Sequence, residues 1–127
     1  MRIIGHGIDL VEVSRIAAML DRHGERFLQR VFTSAEAAHG ETSRRRAEHL
    51  AGRFAAKEAV LKALGTGWAE GVAWTDIEVV SLPSGQPRLN VTGHAAALAQ
   101  QQGVSSWLIS ISHTGTHAMA SVIAVGD

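Results

Sequence analysis

The chain contains no cysteine in 127 residues, which excludes disulfide bonds and thiolate metal sites and suits a reducing cytoplasm. Aromatic residues amount to only 5%. With so few stacking side chains and no recognised nucleic-acid motif, nucleic acid is not an expected partner. No apolar run approaches the roughly 20 residues that span a bilayer, so no membrane segment is expected. The opening Met1-Arg2-Ile3-Ile4-Gly5 lacks the apolar core and cleavage site of a signal peptide. Internal repeats, linkers and low-complexity tails are missing too. A chain of this length forms one domain, residues 1–127, large enough to bury a core. Its 46% apolar and 19% charged content is that of a soluble globular protein.

Net charge is zero, but the cations are unevenly spread. Ten of the twelve Lys and Arg fall between Arg15 and Lys62, and residues 63–127 hold only Arg88. A neutral chain with one basic half either presents a solvated helical surface or binds something acidic there; charge counting leaves both open.

Residues 53–67 organise the rest. Ala, Leu, Lys and Glu dominate them, so a helix is expected, stopped by Gly65-Thr66-Gly67. At about 100° per residue, Leu50, Phe54, Leu61 and Leu64 make one apolar stripe. Ala51, Gly52, Ala55 and Ala59 make a second face, small enough for another backbone to approach. Lys57 falls inside the apolar stripe, where a charge needs an anion or a route to solvent. Glu58 and Lys62, four apart, are neighbours on the border between the faces, and a plain helix salt bridge would explain them.

Earlier in the chain, residues 3–13 read as a strand rich in β-branched side chains, with Gly5 and Gly7 marking a bulge or a close approach. Asp9 stands in this apolar strand as either a hydrogen-bonded structural group or a metal ligand. Ser14 offers an N-cap for a helix over 15–22, stopped by Gly24. A short segment over 25–31 follows, and Thr33-Ser34-Ala35-Glu36 has the spacing of a capping box. Arg15, Arg22, Arg26 and Arg30 recur along one ridge, with Met19, Phe27 and Phe32 as apolar anchors between them. Such a ridge suits an acidic partner, since the guanidinium fork matches carboxylates and phosphates. Arg44-Arg45-Arg46 marks the start of the central helix. Cations at that dipole end are unfavourable, so solvent exposure and anion binding both remain open for them.

Residues 68–74 read as loop, and 76–82 and 88–92 as strands joined by a turn through Pro83 and Pro87. Residues 93–102 form an Ala-rich helix, and 105–112 with 117–125 form a terminal hairpin. This order argues for an α+β domain, an antiparallel sheet packed with a long central helix and shorter ones. Ser112 and His113 are strand neighbours whose side chains diverge, so they are not a nucleophile–base pair. Gly65-Thr66-Gly67 follows a helix and lacks the Lys-Ser/Thr ending of a P-loop, although its amides could cradle a phosphate. Among seven histidines with no metal-ligand spacing, only His113, beside a Gly-containing turn, stands out.

Together, the segments at residues 7–16, 32–36, 53–59 and 109–113 resemble the holo-[acyl-carrier-protein] synthases. These are small 4′-phosphopantetheinyl transferases, and the likeness runs nearly end to end. The resemblance implies Mg²⁺-dependent transfer of the phosphopantetheine arm of coenzyme A to a serine of acyl carrier protein, releasing adenosine 3′,5′-bisphosphate. It implies Asp9 and Glu58 as metal ligands, Glu58 or a metal-bound water as base, and Lys62 as the neutraliser of phosphate charge. Lys57 would assist Lys62 or fix the site through a carboxylate. Lys57, Gly65, Thr66, Gly67 and His113 would contact coenzyme A. Arg15, Met19, Arg22, Arg26 and Phe27 would dock the acidic carrier protein. A cytoplasmic homotrimer with coenzyme A at its subunit interfaces is implied as well. A non-catalytic coenzyme A or nucleotide binder, or an adaptor for an acidic partner, would need neither Asp9 nor the Lys57/Glu58/Lys62 group.

Overall fold

The chain runs β1 (Arg2–Glu12), α1 (Val13–His23), α2 (Glu25–Val31), α3 (Ser34–Gly40), α4 (Arg46–Leu64), β2 (Ile77–Ser81), β3 (Pro87–Val91), α5 (Gly93–Gln101), β4 (Ser106–His113) and β5 (His117–Gly126). A 3₁₀ turn at Trp74–Asp76 leads into β2. This computed structural model describes residues 1–40, 45–68 and 71–127. Strands β1, β5 and β4 form one antiparallel sheet in that order, while β2 and β3 form a separate two-stranded sheet.

The α+β arrangement and the β4–β5 hairpin are as expected. The pairing of β1 along β5, from Arg2 opposite Gly126 to Glu12 opposite His117, has no local signal because its partners stand at opposite ends of the chain. It also moves the start of the first helix. Glu12, not Ser14, is the N-cap, and no side chain caps it. The Val13 N–H instead donates to Thr116 O at 2.9 Å, so strand pairing sets the boundary. Gly24 ends α1 at φ +46°, as the sequence predicts. The capping box forms as well: the Thr33 N–H donates to Glu36 Oε1 at 2.9 Å, and the Glu36 N–H donates to Thr33 Oγ1 at 3.3 Å. The central helix begins at Arg46 with Arg45 at its N-cap. Arg44 lies outside the described residues.

Helix α4 is covered on both sides. Leu50, Phe54, Leu61 and Leu64 are buried along one stripe and Ala51, Ala55 and Ala59 along the other, the pattern of a core helix. The small-residue face lies against β1. A Cβ on Gly5 would overlap the carbonyl oxygen of Ala63, and one on Gly7 that of Ala59. Glycine at these two positions lets the helix backbone rest directly on the strand, and β1 also shifts register between Ile3 and Gly5. Both readings of the interrupted strand hold.

Candidate active site

Gly5 and Gly7, one strand repeat apart, meet the carbonyls of Ala63 and Ala59, about one helical turn apart. Strand β1 and helix α4 therefore run in opposite directions and in step. The next position on the same face of β1 is Asp9. Toward its other end α4 has crossed to β4, where a Cβ on Gly52 would lie 3.0 Å from Ile111 Cγ2. The helix thus spans the sheet diagonally, with Glu58 and Lys62 toward the β1 edge and His49 and Arg53 toward the β4 edge.

At the β1 edge, Lys62 Nζ lies 3.0 Å from Asp9 Oδ1 and donates to Ile8 O at 3.0 Å. The lysine side chain is 54% exposed and the aspartate side chain 15%, so the cation reaches in from solvent to a largely covered carboxylate. Among the described residues Glu58 forms no ion pair with Lys62. The plain helix salt bridge is therefore not what this spacing produces. Asp9 Oδ2 and the half-buried Glu58 carboxylate accept no hydrogen bond among the described residues. The spare oxygens of Asp9 and of Glu58 are of the kind that suits Mg²⁺, which takes oxygen ligands and only one or two protein carboxylates. No group of three or more His, Cys, Asp or Glu gathers anywhere among the described residues.

Lys57, expected to touch coenzyme A, requires correction. Its side chain is fully buried. The ammonium pairs with Glu36 Oε1 at 2.8 Å and donates to Trp74 O at 3.2 Å and to Ile77 O. Glu36 in turn accepts from the Val79 N–H at 2.9 Å. Burial pulls the Lys57 pKa below its ordinary value, against the opposing pull of Glu36. The amine has spent its donors in the interior, so the carboxylate-fixing alternative is the geometry found. The capping-box spacing flagged Glu36, but no local pattern pairs it with a lysine on another helix.

Gly65 adopts the left-handed conformation at the end of α4. Its N–H donates to Leu61 O at 2.8 Å and Lys62 O at 3.2 Å, and the Thr66 N–H donates to Leu61 O at 3.3 Å. Two of the three amides proposed for phosphate are thus taken by the helix end. The Gly67 amide remains among the described residues, while the Thr66 hydroxyl donates to Gly67 O at 3.3 Å.

At the β4 edge a cavity of about 380 Å³ opens among His49, Arg53, Ser81, Pro83, Ile111 and His113. Arg53 donates to Ser81 Oγ at 3.0 Å and to His49 Nδ1 at 3.4 Å. Its Nε is buried with no partner among the described residues, and burial lowers its pKa against the pull of Glu36. His113 Nδ1 lies 3.3 Å from Glu48 Oε2. His113 therefore sits with Arg53, at the opposite edge of the sheet from Asp9 and Lys62. Arg53 stands in a segment the sequence highlighted, yet nothing local marks it as lining a cavity.

A second cavity, of about 440 Å³, lies between α1, α2 and α4. Arg15, Arg26 and Arg30 line it with His23, Met19, Phe27, Phe54 and Trp74, and no carboxylate among the described residues does. The Arg15 guanidinium sits 5.3 Å from the Phe54 ring centre. Arg15, Met19, Arg26 and Phe27 of the expected ridge therefore converge. Arg22 lies outside the groove lining, and Phe32 is buried in the core. Trp74 and Phe54 were not assigned to this surface by sequence.

A model of the 4′-phosphopantetheinyl transferase superfamily matches residues 5–122. The chain is 46% identical over 121 residues to the holo-[acyl-carrier-protein] synthase of Solibacter usitatus, covering 95% of this chain and 97% of that one. It is 48% identical over 124 residues to that of Desulforudis audaxviator, covering 98% and 94%. Among solved structures, a holo-(acyl-carrier-protein) synthase from Bacillus anthracis in complex with CoA (3′,5′-ADP) matches with a TM-score of 0.81 at 36% identity, over 98% of both chains. The acyl carrier protein synthase of Plasmodium yoelii with ADP bound matches at 0.88 and 32% identity, over 99% of this chain and 97% of that one.

Proposed function

Since the chain belongs to the 4′-phosphopantetheinyl transferase superfamily, we infer that it transfers 4′-phosphopantetheine from coenzyme A to a serine of apo-acyl carrier protein. In that reaction the serine oxygen bonds to the pantetheine-bearing phosphorus. The bond from that phosphorus to the bisphosphate oxygen breaks, and the serine proton is released. The observation that carries this reading at the level of residues is the pairing of Lys62 with Asp9 across two elements. It sets a cation beside a carboxylate at a partly exposed rim, where a diphosphate can reach them.

Asp9 and Glu58 would hold Mg²⁺, which supplies neutralisation of diphosphate charge when bound. Lys62, largely exposed and held by one carboxylate, adds a fixed positive charge for the phosphates and the leaving bisphosphate. Glu58, with no cation partner among the described residues, is the carboxylate available to accept the serine proton. The cavity at Arg53 and His113 supplies donors for the nucleotide end of coenzyme A. The Arg15–Arg26 groove receives the carrier protein, whose acidic helix suits a cationic rim over an apolar floor.

A homotrimer with shared sites is part of the proposal. The two half-sites lie at opposite edges of one sheet, and a homotrimer would set the β1-edge half-site of one copy against the β4-edge half-site of the next. The outer sheet face also leaves Ile8, Leu10, Leu108 and Met119 exposed, Leu10 at 64%, and a second copy would cover them. A cytoplasmic location accords with the absence of cysteine. Incubation with coenzyme A, Mg²⁺ and apo-carrier protein, followed by intact mass, tests the reaction. The carrier should gain one phosphopantetheine; an unmodified carrier would overturn the assignment.

A further inference from the structure

Trp74 belongs to a segment that carries no motif, yet it is among the most firmly held side chains around the basic groove. One ring face stacks on Phe54, with centroids 4.9 Å apart and planes at 28°. Trp68 packs against the ring as well, 3.6 Å away at 31°. Its backbone is fixed too. Trp74 O and Ile77 O, at the two ends of the short segment that enters β2, accept hydrogen bonds from the buried Lys57 ammonium. That ammonium is anchored by Glu36, which also accepts from the Val79 N–H within β2. A wholly buried ion pair is a costly device, and here two of its three donor contacts hold the segment bearing Trp74. The indole is nonetheless only half-buried and lines the groove beside Arg15 and Phe54.

We propose that Trp74 is an apolar anchor for the carrier protein, selecting a carrier helix that presents a bulky apolar side chain among its acidic residues. This rests on the reading of the groove as the carrier site. The charge argument supports it: among the described residues three arginines and His23 line the groove and no carboxylate does, which suits an acidic partner surface. Below that cationic rim, Met19, Phe27 and Trp74 present an apolar floor. Tryptophan and arginine dominate the energetics of protein interfaces, and an indole already packed against two other rings loses little further freedom on binding. Lys57 is the positioning residue behind it, acting through the Trp74 backbone.

Steady-state kinetics with coenzyme A and apo-carrier protein test the proposal, with circular dichroism and thermal melting as controls. Trp74→Ala should raise KM for the carrier at least about tenfold while leaving KM for coenzyme A within about twofold. Trp74→Phe, which keeps a ring, should recover most of that loss. Trp74→Leu keeps apolar bulk without the ring and stands in should the alanine variant fail to fold; its carrier KM should also rise. Carrier KM values within about twofold of wild type for both the alanine and leucine variants would overturn the proposal, whatever happened to the melting temperature. Equal rises in both KM values would overturn it too, because they would mark lost packing and not a lost contact. A wild-type protein that modifies no carrier would sink the functional assignment and this anchor with it.

Discussion

Lys62 bypasses Glu58, its neighbour one turn back on α4, and sets its ammonium 3.0 Å from Asp9 on β1. The strand carboxylate is thereby tied to the helix at a partly exposed rim, and the helix carboxylate is left without a cation partner among the described residues. Charge is arranged here for something outside the chain, and the expected effects of substitution follow.

Asp9→Ala and Glu58→Ala should each abolish transfer while leaving the fold intact. Removing one of two protein ligands should weaken Mg²⁺ by more than the roughly 10–100-fold that supporting residues of metal sites contribute. Circular dichroism and activity titrated against Mg²⁺ check this. Near-normal rates at low Mg²⁺ would remove that residue from the metal site.

Lys62→Ala should lower kcat more than it raises KM for coenzyme A, as expected of a charge that acts in the transition state. Its effect on stability should stay small, about 0–1 kcal/mol, because the lysine is exposed and solvent screens the pair. An unchanged kcat with a raised KM would make it a ground-state phosphate contact.

Lys57→Met should destabilise the fold by about 3–5 kcal/mol, since it leaves Glu36 as an uncompensated buried charge. Adding Glu36→Leu should recover only part of the loss, because the Thr33 and Val79 N–H groups then lose their acceptor. Denaturant unfolding of the single and double variants measures both effects. The pH dependence carries a sign as well. Burial lowers the Lys57 pKa in the folded state, so between that value and about 10.4 the unfolded chain binds more protons, and the lysine's contribution to stability rises with pH. The stability gap between wild type and Lys57→Met should therefore widen on approach to pH 10.

Arg15→Glu and Arg26→Glu should raise KM for the carrier and flatten its salt dependence, with KM for coenzyme A nearly unchanged. Screening acts over about 8–10 Å at ordinary ionic strength, so salt is a usable probe of this rim. Arg22→Glu should do less, because Arg22 lies outside the groove lining. Equal weakening of both substrates would instead assign the ridge to the coenzyme A site or to a subunit interface.

Arg53→Met should show the opposite selectivity. Losing a charged donor in the β4-edge cavity should raise KM for coenzyme A about 10–100-fold, from roughly 1.5–3 kcal/mol per charged hydrogen bond. KM for the carrier should stay close to wild type. Initial-rate measurements against each substrate separate the two.

Much of this was legible from residues alone, because it depends on short-range physics. Helix α4, its Gly65 stop, the Thr33–Glu36 capping box and the β4–β5 hairpin all follow from periodicity, capping and turn chemistry among near neighbours. Asp9 in an apolar strand and Lys57 in an apolar stripe were visible as anomalies for the same reason: a charge where the pattern demands none. What each anomaly was for depended on contacts between residues far apart in the chain. Only the packing of α4 on Gly5 and Gly7 brings Lys62 to Asp9 instead of Glu58. Only the docking of α3 and β2 on α4 gives Lys57 its carboxylate and carbonyls, turning an expected phosphate contact into an interior clamp. Trp74, with no local pattern around it, acquires its place in the groove from that clamp and from its packing on Phe54 and Trp68. The diagonal of α4 likewise separates His113 from Asp9, because helix crossing is set by which surfaces pack most closely and not by any residue's immediate neighbours.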